Sequence, residues 1–436
     1  MTDAAVQRVF EQIEQDEDFV VDLLREMVSI PTVNPKFVQD PAVNKEPEEQ
    51  ALLEQELKKL EFETEQFDAF PNRPNLIGRW GGSEEKSLII NGHIDVVPEG
   101  DRSSWSVDPF GGEVRDGRLY GRGALDMKGG IAAAIAAARA IRSAGVTLDG
   151  RLDIHTVVDE EAGGFGSRAI VDRGYKAQAV LVPEPTWEAI NPAEGGIEWV
   201  RVTILGKAAH AGWRYNSIYP QPDPMDQAPG VNAIELGTRF LAAVRELERE
   251  WGLRKKHPLL PPGITTINPG AVFAGAGLGE NGLPLTTTNP AIIPDVFVAD
   301  FDLKFLPTED AKEVRKEFEA FVKAFAETSD WLRDNPPRVQ WELGGLHFPG
   351  QETDLDHALV RSITDFRRTL GEDTKIEGFV AVSDAGHYGG AGMPSVLYGP
   401  SGDGMHGLDE YVDIASLKKT TRVVANVILQ CCGIKA

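Results

Sequence analysis

The 436-residue chain reads as an α/β protein: a mostly parallel sheet with flanking helices, interrupted by an inserted two-layer α+β unit of ferredoxin-like order. Three observations predict this. Between Asn75 and Val182, short apolar strands alternate with helices. After Gly195 and Gly196 the pattern changes to longer alternating strands and long amphipathic helices. From residue 346 the first rhythm returns. The expected organisation is one domain in two parts, 1–196 and 346–436, with an insertion at 197–345.

The elements follow in order. Residues 6–27 carry helical spacing in Val6, Phe10, Ile13, Phe19, Val20, Leu23, Leu24 and Met27, stopped by Pro31 and Pro35. Residues 47–61 form a second helix with Pro47 in its first turn, where a missing N–H costs nothing. Residues 75–80 and 88–91 read as strands. The run 131–144, rich in Ala and Ile, reads as a buried helix that packs closely on a sheet. Residues 151–158 and 179–182 are strands, with a helix at 166–173 between them. In the insertion, 197–205 alternates: Trp199, Arg201 and Thr203 against Val200, Val202 and Ile204. A helix at 233–251, strands at 265–273 and 295–306, a helix from Thr308 toward Trp331 and a strand at 338–343 complete a βαββαβ order, a small sandwich with one open sheet. Helices at 358–370 and 414–430 flank a strand at 395–398.

Composition narrows the function. The formal net charge of −24 disfavours nucleic acid or an anionic membrane as partner. Cys431 and Cys432 are the only cysteines, which makes neither a disulfide framework nor a zinc knuckle. The acidic start lacks the apolar core of a signal peptide, and no apolar run reaches the ~20 residues of a membrane span. A soluble cytoplasmic protein is the expectation, and the acidic balance does not identify a substrate.

The chemistry gathers at strand ends. His93 and Asp95 follow the strand at 88–91. Asp126 lies beyond a glycine-rich turn, Glu160 and Glu161 follow the strand at 151–158, Glu184 follows 179–182, and His406 lies in a glycine-rich stretch, 402–410. In parallel sheets, sites form at the carboxyl ends of strands. Carboxylates with imidazoles suit zinc or a similar divalent ion, and two ions sharing a carboxylate would need ligands from separate strands. Taken singly, each feature has an ordinary explanation: an incidental His-x-Asp, a solvated pair of glutamates, a tight glycine turn. Gly121-x-Gly123 does not match a dinucleotide fingerprint.

Several motifs in one order reduce that ambiguity. They are Gly92-His93-x-Asp95, Trp105 with Asp108-Pro109-Phe110, the Gly121–Gly130 block, Glu160-Glu161, Glu184, the 206–212 stretch with His210, Ser383-Asp384-Ala385, and Gly399 through His406 to Glu410. Together they resemble, over nearly the whole chain, the dinuclear zinc aminoacylase, carboxypeptidase and deacetylase family. The resemblance implies that His93, Asp126 and Glu184 hold one divalent ion. It implies that Asp126, Glu161 and His406 hold the other, with Asp126 shared. The ions would be zinc, with cobalt or manganese as substitutes. It also implies a cis peptide at Asp126–Met127. Asp95 would hydrogen-bond the far nitrogen of His93. Glu160 would be the general base that takes a proton from the attacking water and passes it to the leaving nitrogen. His210 would reach the site of a partner subunit and donate to the oxyanion, in a homodimer formed through the inserted lid and dimerisation domain.

The resemblance thus implies a small-molecule substrate and hydrolysis of a C–N bond in an N-acyl amino acid or dipeptide-like compound. The departures concern substrate binding. Where such proteins carry Asp-x-Arg, this chain has Asp302, Leu303 and Lys304, which keeps the charge and loses the bidentate fork. Ala291 stands where an asparagine is common; Asn289 and Arg214 are candidate replacements, and Trp213 is a further substrate-binding candidate. Trp187, Trp213, Tyr215 and Tyr219 could line a pocket for a flat group, which keeps an aminohydrolase as the alternative. An alternative of another class is a non-catalytic binding protein that has kept the fold.

Overall fold

The computed structural model describes residues 3–218 and 230–435. Tyr219 lies outside them. The chain forms two compact units, Met1–Gly195 with Phe348–Ala436, and Gly196–His347.

The first unit is built on a six-stranded sheet. Its order is Glu63–Phe70, Arg73–Trp80, Gly150–Val157, Ser83–His93, Ala179–Val182 and Ser395–Leu397. The last four strands run parallel, and Arg73–Trp80 is antiparallel to its neighbours. Both faces are covered, so the central strands are apolar on both sides. Leu88 and Ile90 join the core beneath the helices Lys128–Ser143 and Ile414–Cys432, while Ile89 joins the opposite cluster with Ile170 and Ala385. Small residues let the helix Lys128–Ser143 approach the sheet. A Cβ on Gly130 would stand 2.0 Å from the carbonyl oxygen of Pro183, next to Glu184.

Several elements differ from the sequence reading, including a four-stranded sheet of Glu113–Arg115, Arg118–Tyr120, Gly402–Asp403 and Tyr411–Asp413 that it lacks. The run 6–27 is two helices, Asp3–Gln15 and Phe19–Ser29. The acidic step Asp16–Asp18 interrupts the apolar stripe, and Phe19 N–H donates to the Asp16 carbonyl in a turn. The helix expected to reach Trp331 ends at Ala326, and a separate short helix, Asp330–Asp334, follows Ser329. The edge strand Glu63–Phe70 was not foreseen. Only Phe67 in it is buried, so no apolar alternation marks it, and its polar side chains suit a sheet edge.

The second unit has an antiparallel sheet ordered Pro284–Thr286, Ile267–Leu278, Val296–Phe305, Gly196–Leu205 and Arg338–Trp341. Val200, Val202 and Ile204 point into a core shared with the helices Ala233–Arg254 and Ala311–Ala326. Phe318 sits at its centre, edge-on to Phe301 and Trp341. No described helix is long and apolar enough to cross a membrane.

Phe318→Ala is expected to destabilise the second unit by about 3–5 kcal/mol, through lost burial and a residual cavity. Denaturant unfolding followed by tryptophan fluorescence measures it.

Candidate metal centre

Each candidate ligand is delivered by the end of an element of the first unit. His93 is the last residue of Ser83–His93. Glu160 and Glu161 open a short 3-10 turn, Glu160–Ala162, after the neighbouring strand. Glu184 follows Ala179–Val182, and Asp126 precedes the helix Lys128–Ser143 across a cis peptide to Met127. His406 lies between the strand Ser395–Leu397 and the helix Ile414–Cys432, with φ of +59°.

The side chains converge in two groups that share one carboxylate. His93, Asp126 and Glu184 form the first, and Asp126, Glu161 and His406 the second, with the ligating atoms of each group within 4.8 Å of one another. His93 Nε2 lies 3.3 Å from Asp126 Oδ1 and 3.6 Å from Glu184 Oε1. His406 Nε2 lies 3.1 Å from both Asp126 Oδ2 and Glu161 Oε2. Asp126 therefore turns one oxygen to each group. Glu160 Oε2 stands 3.9 Å from His93 Nε2, beside the first group.

The electrostatics are those of crowded anions. Burial, with the charge of Asp126, pushes Glu161 up to about 7. Burial likewise holds Glu160 and Glu184 well above the usual carboxylate range, opposed by His93. For His93, burial favours the neutral ring, but the Asp126 contact and the charges of Glu184 and Glu160 raise it well above its ordinary value. His406 is raised to about 10 by Asp126 and Glu161. Glu161 Oε1 is buried and accepts no hydrogen bond.

One contact differs from expectation. The carboxylate of Asp95 does not take the far nitrogen of His93: the ring Nδ1 meets the backbone carbonyl of Asp95 at 2.9 Å, and the nearer carboxylate oxygen is 3.8 Å away. The carboxylate is claimed elsewhere. Its oxygens accept from the backbone N–H of Glu160 at 3.1 Å and of Glu161 at 3.3 Å, and from Asn34 Nδ2 at 2.8 Å. Asp95 therefore orders the glutamate pair through its side chain and His93 through its backbone.

Glu410 plays the matching part for Asp126, a role that no local pattern marks. Its Oε1 accepts from the backbone N–H of Leu125 at 3.0 Å and of Asp126 at 3.1 Å. Its Oε2 takes Arg122 Nη1 at 2.5 Å, and Arg122 Nη2 donates to the carbonyl of Gly407, next to His406. Both side chains are at most 2% exposed.

The remaining candidates lie in the second unit, apart from Trp187. His210 is exposed on a two-residue ladder with Ile292–Ile293, its Nδ1 accepting from Gly212 N–H and its ring edge-on to Trp213. Arg214 pairs with Glu235. Arg214 and Asn289 line one cavity of about 550 Å³ with Asn232, Ala276 and the 286–288 threonines. Lys304 is half-buried on Val296–Phe305 and is not among that lining. Tyr215 is exposed. Trp187, in the first unit, is 52% exposed, and its indole N–H donates to the carbonyl of Gly402.

A mostly parallel sheet with an α+β insertion, and two His–carboxylate groups sharing an aspartate at its strand ends, define a metallohydrolase. The family model "Peptidase family M20/M25/M40" matches residues 89–430, and the chain belongs to that family. The N-formyl-4-amino-5-aminomethyl-2-methylpyrimidine deformylase of Bacillus subtilis (strain 168) is 31% identical over 447 residues, covering 99% of each chain. Succinyl-diaminopimelate desuccinylase 2 of Ruegeria sp. (strain TM1040) is 41% identical over 183 residues, 39% of this chain and 46% of that one. Among solved structures, aminopeptidase PepT of Bacillus cereus ATCC 10987 shares the fold, with a TM-score of 0.70 at 19% identity, over 95% of this chain and 98% of that one. The chain is a metal-dependent hydrolase of C–N bonds in small substrates, and a non-catalytic binding protein is not favoured.

Glu410→Gln is expected to cost about 3–5 kcal/mol, because it leaves Arg122 buried without its counter-charge. Thermal unfolding of the metal-free protein measures the loss.

Proposed function

We propose that the enzyme is a deformylase that hydrolyses the formamide of a small, flat, aminopyrimidine-like amine to formate and the free amine. The observation that carries this is the likeness to such a deformylase along 99% of both chains. The departure at Lys304 supports it, since a neutral heteroaromatic amine has no carboxylate to be gripped by a bidentate arginine.

The donor set fits two divalent ions. Hard oxygens and imidazole nitrogens in two groups of three, with a buried Glu161 oxygen left without a partner, suit zinc, with cobalt or manganese as substitutes. In this reading His93, Asp126 and Glu184 hold one ion, and Asp126, Glu161 and His406 hold the other. Bound ions supply Lewis acidity and make a water more acidic. Glu160 takes the proton of the attacking water and delivers it to the leaving nitrogen, a role supported by its carboxylate standing 3.9 Å from His93 Nε2, beside the first group. His210 donates to the developing oxyanion from a second copy in a homodimer formed through the inserted unit. Arg214, Asn289 and Trp213 contribute to substrate binding from that unit, with Lys304 as its remaining cationic candidate. A cytoplasmic location belongs to the same reading, in keeping with two unpaired cysteines.

A hydrolysis screen tests the substrate. The N-formyl aminomethylpyrimidine is expected to exceed N-acetyl and N-succinyl amino acids and dipeptides in kcat/KM by about 10-fold or more, a margin that pocket contacts can supply. Preference for an N-succinyl or N-acetyl amino acid overturns the proposal, and ammonia released in place of formate identifies an aminohydrolase. Chelation is expected to abolish activity and zinc to restore it, with two equivalents bound. Glu160→Ala is expected to lower kcat by about 10²–10⁴-fold with the ions retained.

A further inference from the structure

Glu160 and Glu161 sit on a turn that the preceding strand cannot hold alone. Asp159, which opens it, is a non-glycine residue at φ +73°, fully buried, with its carbonyl accepting from Gly164 N–H at 2.8 Å. Its carboxylate is held from three sides: Oδ1 accepts from Arg73 Nη1 at 2.6 Å and Asn34 Nδ2 at 3.1 Å, and Oδ2 from Lys36 Nζ at 2.5 Å. Lys36 Nζ also reaches the carbonyl of Ala162 at 3.3 Å, at the far end of the turn.

Arg73 is placed for this by strand register. Leu76 of Arg73–Trp80 is opposite Thr156 of Gly150–Val157, so the same antiparallel register, continued, sets Arg73 opposite Asp159. Its other edge makes two bonds to Glu46, Nε to Oε2 at 2.7 Å and Nη2 to Oε1 at 2.8 Å. Glu46 begins the helix Glu46–Lys59, so the guanidinium ties the turn to a packed helix. The arginine side chain is 9% exposed, Glu46 2% and Asp159 0%. Asn34 links the two acids behind the turn, its Nδ2 donating to both Asp95 and Asp159.

We propose that Arg73, assisted by Lys36 and Asn34, is a positioning residue that fixes the Asp159–Ala162 turn and thereby the carboxylates of Glu160 and Glu161. Arg73 touches neither reacting atoms nor candidate ligands, and it acts through Asp159. The planar fork is required, because one edge must serve Glu46 while the other serves Asp159. The kinetic part rests on the roles given above to Glu160 and Glu161; the conformational part does not.

The test uses Arg73→Met, Arg73→Lys and Lys36→Met in the full chain, with two readouts. The first is amide hydrogen exchange of the metal-free proteins. Arg73→Met is expected to accelerate exchange in a peptide spanning 159–164 by at least about tenfold while a peptide within 150–157 is unchanged. The second is kinetics with zinc loaded. Arg73→Met is expected to lower kcat by about 10–100-fold, as for other groups that orient metal-site residues, with KM within about threefold. Arg73→Lys is expected to recover part of the loss, and Lys36→Met to move both readouts in the same direction by less. If Arg73→Met does not fold, the other two variants decide. Unchanged exchange at 159–164 in folded variants, or an even rise in exchange across the whole unit, overturns the proposal. Faster local exchange with unchanged kcat, alongside an active Glu160→Ala, places the failure in the role assigned to Glu160 instead.

Discussion

The structure of the first unit depends on holding buried like charges close together. Asp126, Glu160, Glu161 and Glu184 converge on two imidazoles, and burial with mutual repulsion raises three of the four carboxyls. Such a cluster is unfavourable unless cations neutralise it, and its geometry must be imposed by groups that do not share its charge problem. Backbone amides do this. Asp95 accepts from the consecutive N–H groups of Glu160 and Glu161, and Glu410 accepts from those of Leu125 and Asp126. A carboxylate that takes two successive amides fixes the peptide plane between them, and with it the direction in which the next side chain leaves.

Glu410 has a counter-charge of its own, and further buried acids around the centre are likewise paired with buried cations. Arg122 pairs with Glu410, Arg73 with Glu46 and Asp159, and Lys128 with Glu49, all at or below 9% exposure. Lys128 Nζ also meets the carbonyls of Met27 and Ile30, which fills its donor capacity. Each pair joins elements distant in sequence, so breaking one would leave an uncompensated charge buried among the helices and turns around the centre.

Much of this was legible in the sequence, for a physical reason. Strand-end residues of a parallel sheet share one edge, so His93, Glu160 and Glu184 stood out as candidates, while their grouping with Asp126 and His406 came from the motifs that carry the family resemblance. The supporting shell was not legible. Arg73 opens a strand and Asn34 lies in a loop, and their roles arise only when the antiparallel register brings Arg73 to the end of the neighbouring strand. Asp95 shows the limit from the other side. Its i, i+2 spacing from His93 suggested a side-chain contact, but amide donors from a distant turn compete for the carboxylate and leave only its carbonyl to the ring. The polar edge strand Glu63–Phe70 escaped because pairing, not burial, makes it a strand.

Specificity follows a different logic from catalysis in this chain. The first unit carries a charge arrangement set by peptide geometry, which leaves little freedom for change. The insertion carries candidate contacts on side chains, and two of its arginines are already paired with carboxylates. Arg214 is neutralised by Glu235, and Arg201 is held by Asp300 through both edges of its carboxylate. Asp302 is engaged by the indole of Trp199, and Lys304 offers a point charge without a fork. The cavity of about 550 Å³ in that unit is lined by Ala211, Ile234, Ala274, Ile292 and Ile293 as well as by threonines and asparagines around the Arg214–Glu235 pair. Such a lining mixes apolar contact with neutral hydrogen-bonding groups, and the arginine in it, Arg214, is already paired.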